Sequence, residues 1–203
     1  MKRPEIRLAE STNLSAINDI KLASDINVGD YLGSEQAQDK REIAQFIYDR
    51  FAERYIIPLE NVPQKHKHGF TIMAVCCLMI EAMVSFRQGY PDTMGKSKDC
   101  FEYFFQHAKQ FSEFRGVSTE FYDNVRCGLL HQAETKGGWR IRRNGPLFNK
   151  DSLMINATEF LARLKIYLSD YQQELEQADW DNVIWVNLRE KMNSIIDNCR
   201  RSQ

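Results

Sequence analysis

Residues 121–141 read FYDNVRCGLLHQAETKGGWRI, and the fold turns on how this stretch is divided. Its first half carries Phe121, Val125 and Leu129 at four-residue spacing, the inward stripe of an amphipathic helix. At ~100° per residue, Asp123, Arg126, Cys127, Leu130 and His131 fall on the opposite side. After Gly137 and Gly138 the period changes to two, with Trp139 and Ile141 alternating with Arg140 and Arg142. A core-facing helix thus gives way to a short β element. Arg126 and His131 are expected to avoid the core and to flank a strip that faces water, a ligand or another copy of the chain.

Upstream, helical patterns dominate. Ile43, Phe46, Ile47, Phe51 and Tyr55 predict a helix over 34–58, started at Ser34-Glu35 and stopped at Pro58. The preceding INVGDYLGS reads as a linker or turn, so residues 1–33 are assigned to an N-terminal arm and 34–203 to one helical domain. The run TIMAVCCLMIEAMVSFRQ is apolar on nearly all sides and predicts a central bundle helix ending at Gly89. Its most apolar part, 70–86, falls short of the roughly 20 residues a bilayer needs and contains Glu81. Phe101, Phe104, Phe105, Ala108 and Phe111 predict a third helix over 97–114, and Ser118 is the expected cap of the fourth.

Downstream, Asn144-Gly145-Pro146 is a turn signal, and Leu153 and Ile155 make a second alternating run. Two helices follow, over 158–177 and 181–199, the first with Phe160, Leu164, Tyr167, Leu168 and Tyr171 in its stripe. The expected fold is all-α, a helical bundle with a small β-hairpin inserted after the helix that Ser118 caps.

Composition narrows the function. A net charge of −1 excludes a uniformly basic nucleic-acid-coating protein but leaves room for a local basic patch. The opening MKRPEIRLAESTNLSAIND has no basic-then-apolar leader pattern, so a cytoplasmic location with no membrane association is expected. Five cysteines without C-x-x-C spacing point to reduced thiols rather than a disulfide framework or zinc site. No metal or cofactor is expected. His66 and His68 lack a completing ligand and are flanked by Lys65 and Lys67. GYPDTMGKS has five residues between its glycines where a phosphate loop has four, and it follows a helix. Glu81, among apolar neighbours, is either a buried carboxylate with a partner or an edge residue reaching water; a nearby arginine would decide between them.

Lys136, Arg140, Arg142, Arg143 and Lys150 cluster with no acidic residue over 136–150, which suits a polyanion, since arginine gives forked contacts to phosphate oxygens. Spacing alone is weak. With fifteen arginines and four histidines in the chain, an Arg followed four to six positions later by His is expected about once by chance.

In its setting, however, Arg126-Cys-Gly-Leu-Leu-His131 resembles the R-x4–6-H motif of the HEPN (higher eukaryotes and prokaryotes nucleotide-binding) superfamily, whose members are helical bundles. The likeness is concentrated in VRCGLLHQAETKGGW, and is to variants with a β-hairpin after the motif helix. Many members are metal-independent endoribonucleases acting as dimers, including toxins and phage-defence effectors. The resemblance implies RNA as substrate, a homodimer, and an antitoxin or regulatory partner. It implies His131 as general acid or base, and Arg126 as the group that stabilises phosphoryl charge. Cys127 stands where active members often carry Asn, Asp or His. Asp123, Asn124 and Glu81 are candidate supporting groups. Alternatives are a module that holds RNA or a nucleotide without cutting it, a structural homodimer, and a Cys127-based enzyme using the i, i+4 neighbour His131.

Overall fold

The computed structural model describes residues 17–201, except 24, 61 and 64. Residues 1–16 of the expected arm, and with them most of the stretch read for a leader, lie outside the described residues. The fold is mainly α-helical with one small sheet.

The stretch expected to be a linker is a helix, α1 (Val28–Gln36). Asn27 caps it. Its Oδ1 accepts from Asp30 N at 2.9 Å while Asp30 Oδ2 accepts from Asn27 N at 2.9 Å, a capping box that offsets the roughly 1 kcal/mol a helical glycine costs. Val28 and Tyr31 are buried in the core. Ser34, expected to begin the next helix, lies inside α1 and donates to Glu42 Oε2 at 2.5 Å.

Helix α2 (Lys40–Phe51) starts at Asp39, whose carboxylate accepts from Glu42 N at 3.0 Å. It buries Ile43, Phe46, Ile47 and Phe51 as its periodicity predicts. Pro58 does not stop it. The chain passes through a π turn (Ala52–Ile56), where Ile57 N–H reaches Ala52 O, into the short α3 (Ile57–Glu60). Pro58 is the second residue of α3, and having no N–H it leaves no donor of its own unpaired there.

Helix α4 (Gly69–Gln88) is the axis of the bundle, burying Ile72, Met73, Cys76, Met79, Ile80, Met83 and Val84, and Gly89 ends it at φ 66°. At 20 residues it is long and apolar enough to cross a membrane, longer than its most apolar run implies, but it is for the larger part buried within the protein. The expected third helix is two segments. Helix α5 (Ser97–His107) breaks at Ala108, where ψ is 102°, and continues as a 3₁₀ turn (Lys109–Phe114). The break lets Phe104, Phe105, Phe111 and Phe114 converge, with Phe105 and Phe114 rings stacked at 5.0 Å and Phe104 and Phe111 also at 5.0 Å.

The motif helix is interrupted too. Helix α6 (Ser118–Phe121) leads through a π turn (Tyr122–Arg126) into α7 (Cys127–Gln132). Val117 rather than Ser118 sits at the cap position, with no side-chain bond.

The β element is three-stranded. Strands β1 (Arg140–Arg142), β2 (Phe148–Asn149) and β3 (Met154–Asn156) lie in the order β1-β3-β2. The two runs expected to pair as an antiparallel hairpin, β1 and β3, instead lie parallel, with Ile141 opposite Ile155, and the antiparallel pair is β2–β3, whose first strand the alternation did not mark. Parallel pairing needs a crossover of about a dozen residues, which the segment between β1 and β3 supplies. Trp139 and Ile141 are buried and Arg140 and Arg142 exposed, as the alternation predicts. Asn156 closes the sheet, donating to Gly145 O at 2.6 Å and capping α8 (Ala157–Gln177) through Thr158 N and Glu159 N. The last helix is α9 (Val183–Arg201). Helices α8, α9 and α5 pack around α4.

Candidate functional site

Arg126 does not avoid the core. A π turn holds one residue more than an α turn, which rotates the residues beyond it by about 100° relative to a straight helix. The turn at Tyr122–Arg126 sets Arg126 against α4, where its Nε–H donates to Glu81 Oε1 at 2.8 Å. The side chains are only 16% and 11% exposed, so the pair is largely shielded from water although it borders a cleft. Glu81 is thus the buried carboxylate with a partner, and the partner is the motif arginine. Its other oxygen, Oε2, accepts from Thr93 Oγ1 at 3.4 Å. Burial works against the Arg126 charge, but the hydrogen bond and charge of Glu81 outweigh it and raise its pKa. The Tyr122 ring adds a cation–π contact, 5.4 Å from the guanidinium carbon.

The pair forms part of one wall of a cleft of about 400 Å³. Helix α4 contributes Leu78, Ala82 and Ser85; α2 and its π turn bring Arg50, Arg54 and Tyr55; α9 brings Lys191 and Ile195; the loop after α4 brings Asp92 and Thr93. Four cations therefore stand against two carboxylates. Arg50 Nη1 and Arg54 Nη2 both donate to Leu22 O, the second at 2.8 Å, and Lys191 Nζ donates to Pro91 O at 2.9 Å. Burial, then the charge of Arg54, push Arg50 down to about 10. Burial also lowers Lys191, with Asp92 opposing the shift and Arg50 adding to it. Sequence reasoning missed Arg50, Arg54 and Lys191. The i, i+4 spacing of the two arginines was visible, but nothing in the sequence tied α9 to α2.

His131 sits in the last turn of α7, exposed, and does not line this cleft. The helix ends at Ala133, which takes a left-handed conformation at φ 54°. Gly128, between Arg126 and His131, makes that ending possible. A Cβ there would overlap Glu134 O and lie 3.2 Å from Thr135 Cα, both backbone atoms that cannot swing aside. Gly128→Ala is expected to push residues 134–135 off the motif helix and to destabilise the protein by about 1–3 kcal/mol, read as a lower denaturation midpoint. An unchanged midpoint would show that the loop shifts freely.

The other candidates separate. Asp123 is exposed, 3.9 Å from Lys98 Nζ. Asn124 is a docking residue, since its Nδ2 donates to Glu120 O at 3.0 Å and its carbonyl accepts from Lys136 N at 2.9 Å. Cys127 is half-buried beside Tyr122, whose pKa is raised by burial and by a side-chain hydrogen bond with Cys127. Arg140, Arg142 and Lys150 are exposed, and Lys136 is half-buried. Arg143, grouped with them in the sequence, is a clamp on the loop before α4. It donates to the carbonyls of Val62, Pro63 and His66 at 2.9, 3.0 and 3.1 Å and to Thr158 Oγ1 at 3.2 Å.

Comparison of the chain with protein-family models, with curated proteins and with solved structures gives no match.

Proposed function

We propose that this protein is a metal-independent endoribonuclease of the HEPN type, acting as a homodimer in the cytoplasm, in a toxin or phage-defence role under an antitoxin or regulatory partner. The observation that carries the reading is the Arg126 guanidinium, held by Glu81 through Nε at the wall of a cationic cleft. That bond leaves the two terminal nitrogens for phosphoryl oxygens, in a partly water-excluded setting where such contacts are strong.

In the proposed reaction a ribose 2′-oxygen attacks the adjacent phosphorus. The 2′-O–P bond forms and the P–O5′ bond breaks. A base takes the 2′-hydroxyl proton, and an acid gives one to the departing 5′-oxygen, leaving a 2′,3′-cyclic phosphate and a 5′-hydroxyl. In the homodimer the motif helices of the two copies meet around one RNA backbone, so that His131 serves as the acid or base while Arg126 steadies charge on the non-bridging oxygens. Exposed Arg140, Arg142 and Lys150 hold the flanking strand.

The test is cleavage of RNA by purified protein. His131→Ala is expected to lower the rate at least about a hundredfold, with the melting temperature unchanged because the side chain is exposed. A second reading, a module that holds RNA or a nucleotide without cutting it, is favoured by the position of His131 outside the cleft that Arg126 lines. Salt-sensitive binding of RNA that stays intact would establish it in place of the first.

A further inference from the structure

We propose that the cleft beside Arg126 is a phosphate subsite for single-stranded RNA, in which Arg54 and Lys191, backed by Arg50, grip a backbone phosphate next to the one Arg126 holds. This rests on the RNA-directed reading above, and extends it to residues outside the motif.

None of Arg50, Arg54 and Lys191 has an ion-pair partner among the described residues, although they line one concave surface. Each spends part of its donor capacity on a main-chain carbonyl, and a guanidinium has five N–H groups. The neighbouring like charges work against one another, since Arg54 adds to the lowering of Arg50, and Arg50 to that of Lys191. A bound anion relieves this. One carboxylate in the cleft, Glu81, is already committed to Arg126, so the remaining cations face Asp92 alone.

Size and shape select the ligand. A volume of about 400 Å³ lies near the lower end of the range for small-ligand pockets and suits one nucleotide unit. Duplex RNA is instead recognised across its grooves from an open surface. Half-buried Tyr55 and exposed Leu78 provide an apolar wall on which a base can rest.

The experiment measures binding of a short single-stranded 2′-O-methyl oligoribonucleotide to the full chain by fluorescence anisotropy over a range of salt. The probe has no 2′-hydroxyl to attack, so binding is read apart from cleavage. Arg54→Gln and Lys191→Met are each expected to raise Kd on the order of tenfold. Each should also flatten the salt dependence of log K by ~0.7 per charge removed. Arg54→Lys keeps the charge and is expected to keep the slope.

Unchanged affinity and slope in Arg54→Gln and Lys191→Met, with unfolding midpoints like the wild type, would overturn the proposal. So would a nucleoside monophosphate or a duplex binding as tightly as the single strand. The two readings fail separately. A wild type that cuts RNA while both variants bind normally refutes the subsite alone. A wild type that never cuts, with variants that lose binding, refutes the nuclease and leaves the subsite standing.

Discussion

Replacing Arg126 with alanine is expected to lower the stability of the protein by about 3 kcal/mol, the lower end of the 3–5 kcal/mol range for breaking a buried ion pair from one side. The variant takes its partner from Glu81, whose side chain is 11% exposed in the native protein, and leaves only the long contact from Thr93 Oγ1 in compensation. The adjoining cleft lets water approach, which is why the lower end applies. Adding Glu81→Leu to Arg126→Ala removes the stranded charge and is expected to recover much of the loss, since apolar replacement of both partners is often neutral or better. Denaturant unfolding of the four species closes the cycle. A loss below about 1 kcal/mol in the single variant would mean the pair is screened like one on the surface. Activity is expected to fall more steeply than stability, on the order of 10²–10³ for a lost oxyanion-stabilising donor, and the apolar double variant should recover stability without recovering rate.

Phe121→Ala has a comparable stability effect for a different reason. The Phe121 ring lies 4.9 Å from Phe105, 5.6 Å from Phe114, 5.7 Å from both Phe101 and Phe160, and 6.1 Å from Trp139. It joins the motif helix to α5, the 3₁₀ turn, α8 and the entry to β1 at once. Truncation leaves a cavity that five rigid rings cannot collapse to fill, so the expected cost is about 3–5 kcal/mol. At about 2–4 °C per kcal/mol for a chain of this size, the melting temperature should fall by roughly 6–20 °C. Because the residue ends α6 just before the π turn, the proposed RNA-directed activity should decline well below that temperature as the turn loosens. A variant melting within about 2 °C of the wild type would show that the rings repack.

The apolar stripes of α2 and α8 were legible because burial imposes its period on sequence: Ile43, Phe46, Ile47 and Phe51, and Phe160, Leu164, Tyr167, Leu168 and Tyr171, are all buried. The exposed and buried alternation from Trp139 to Arg142 was legible for the same reason. What the pattern hid was local. Two glycines masked α1, which the capping box between Asn27 and Asp30 and the burial of Val28 and Tyr31 together hold in place. The π turns carry no compositional signal, so a wheel drawn at constant period turned Arg126 away from the helix it pairs with. The parallel pairing of β1 with β3 depends on a crossover that strand alternation does not encode. Arg143 is set apart from its neighbours Arg140 and Arg142 by the loop before α4, which folds around it and which the local sequence does not mark.

The site was half legible. Arg126, His131 and Glu81 were each marked in the sequence, and the choice left open at Glu81 is resolved by Arg126 itself. The pairing of Arg126 with Glu81 was not, since the two lie 45 residues apart along the chain, and His131 stays outside their cleft. Arg50, Arg54 and Lys191 reach the same cleft only through the packing of α2 and α9 on α4. Gly128 lay unremarked inside the motif, although the turn after His131 has room only for a hydrogen there.

The identity of the RNA ends left by the purified wild-type protein, read with and without a chelator and beside His131→Ala, tests the central claim most directly. The expected result is a 2′,3′-cyclic phosphate and a 5′-hydroxyl, formed equally well in chelator and lost in the variant. RNA that stays intact, or ends bearing a 3′-hydroxyl formed only with added metal, would contradict it.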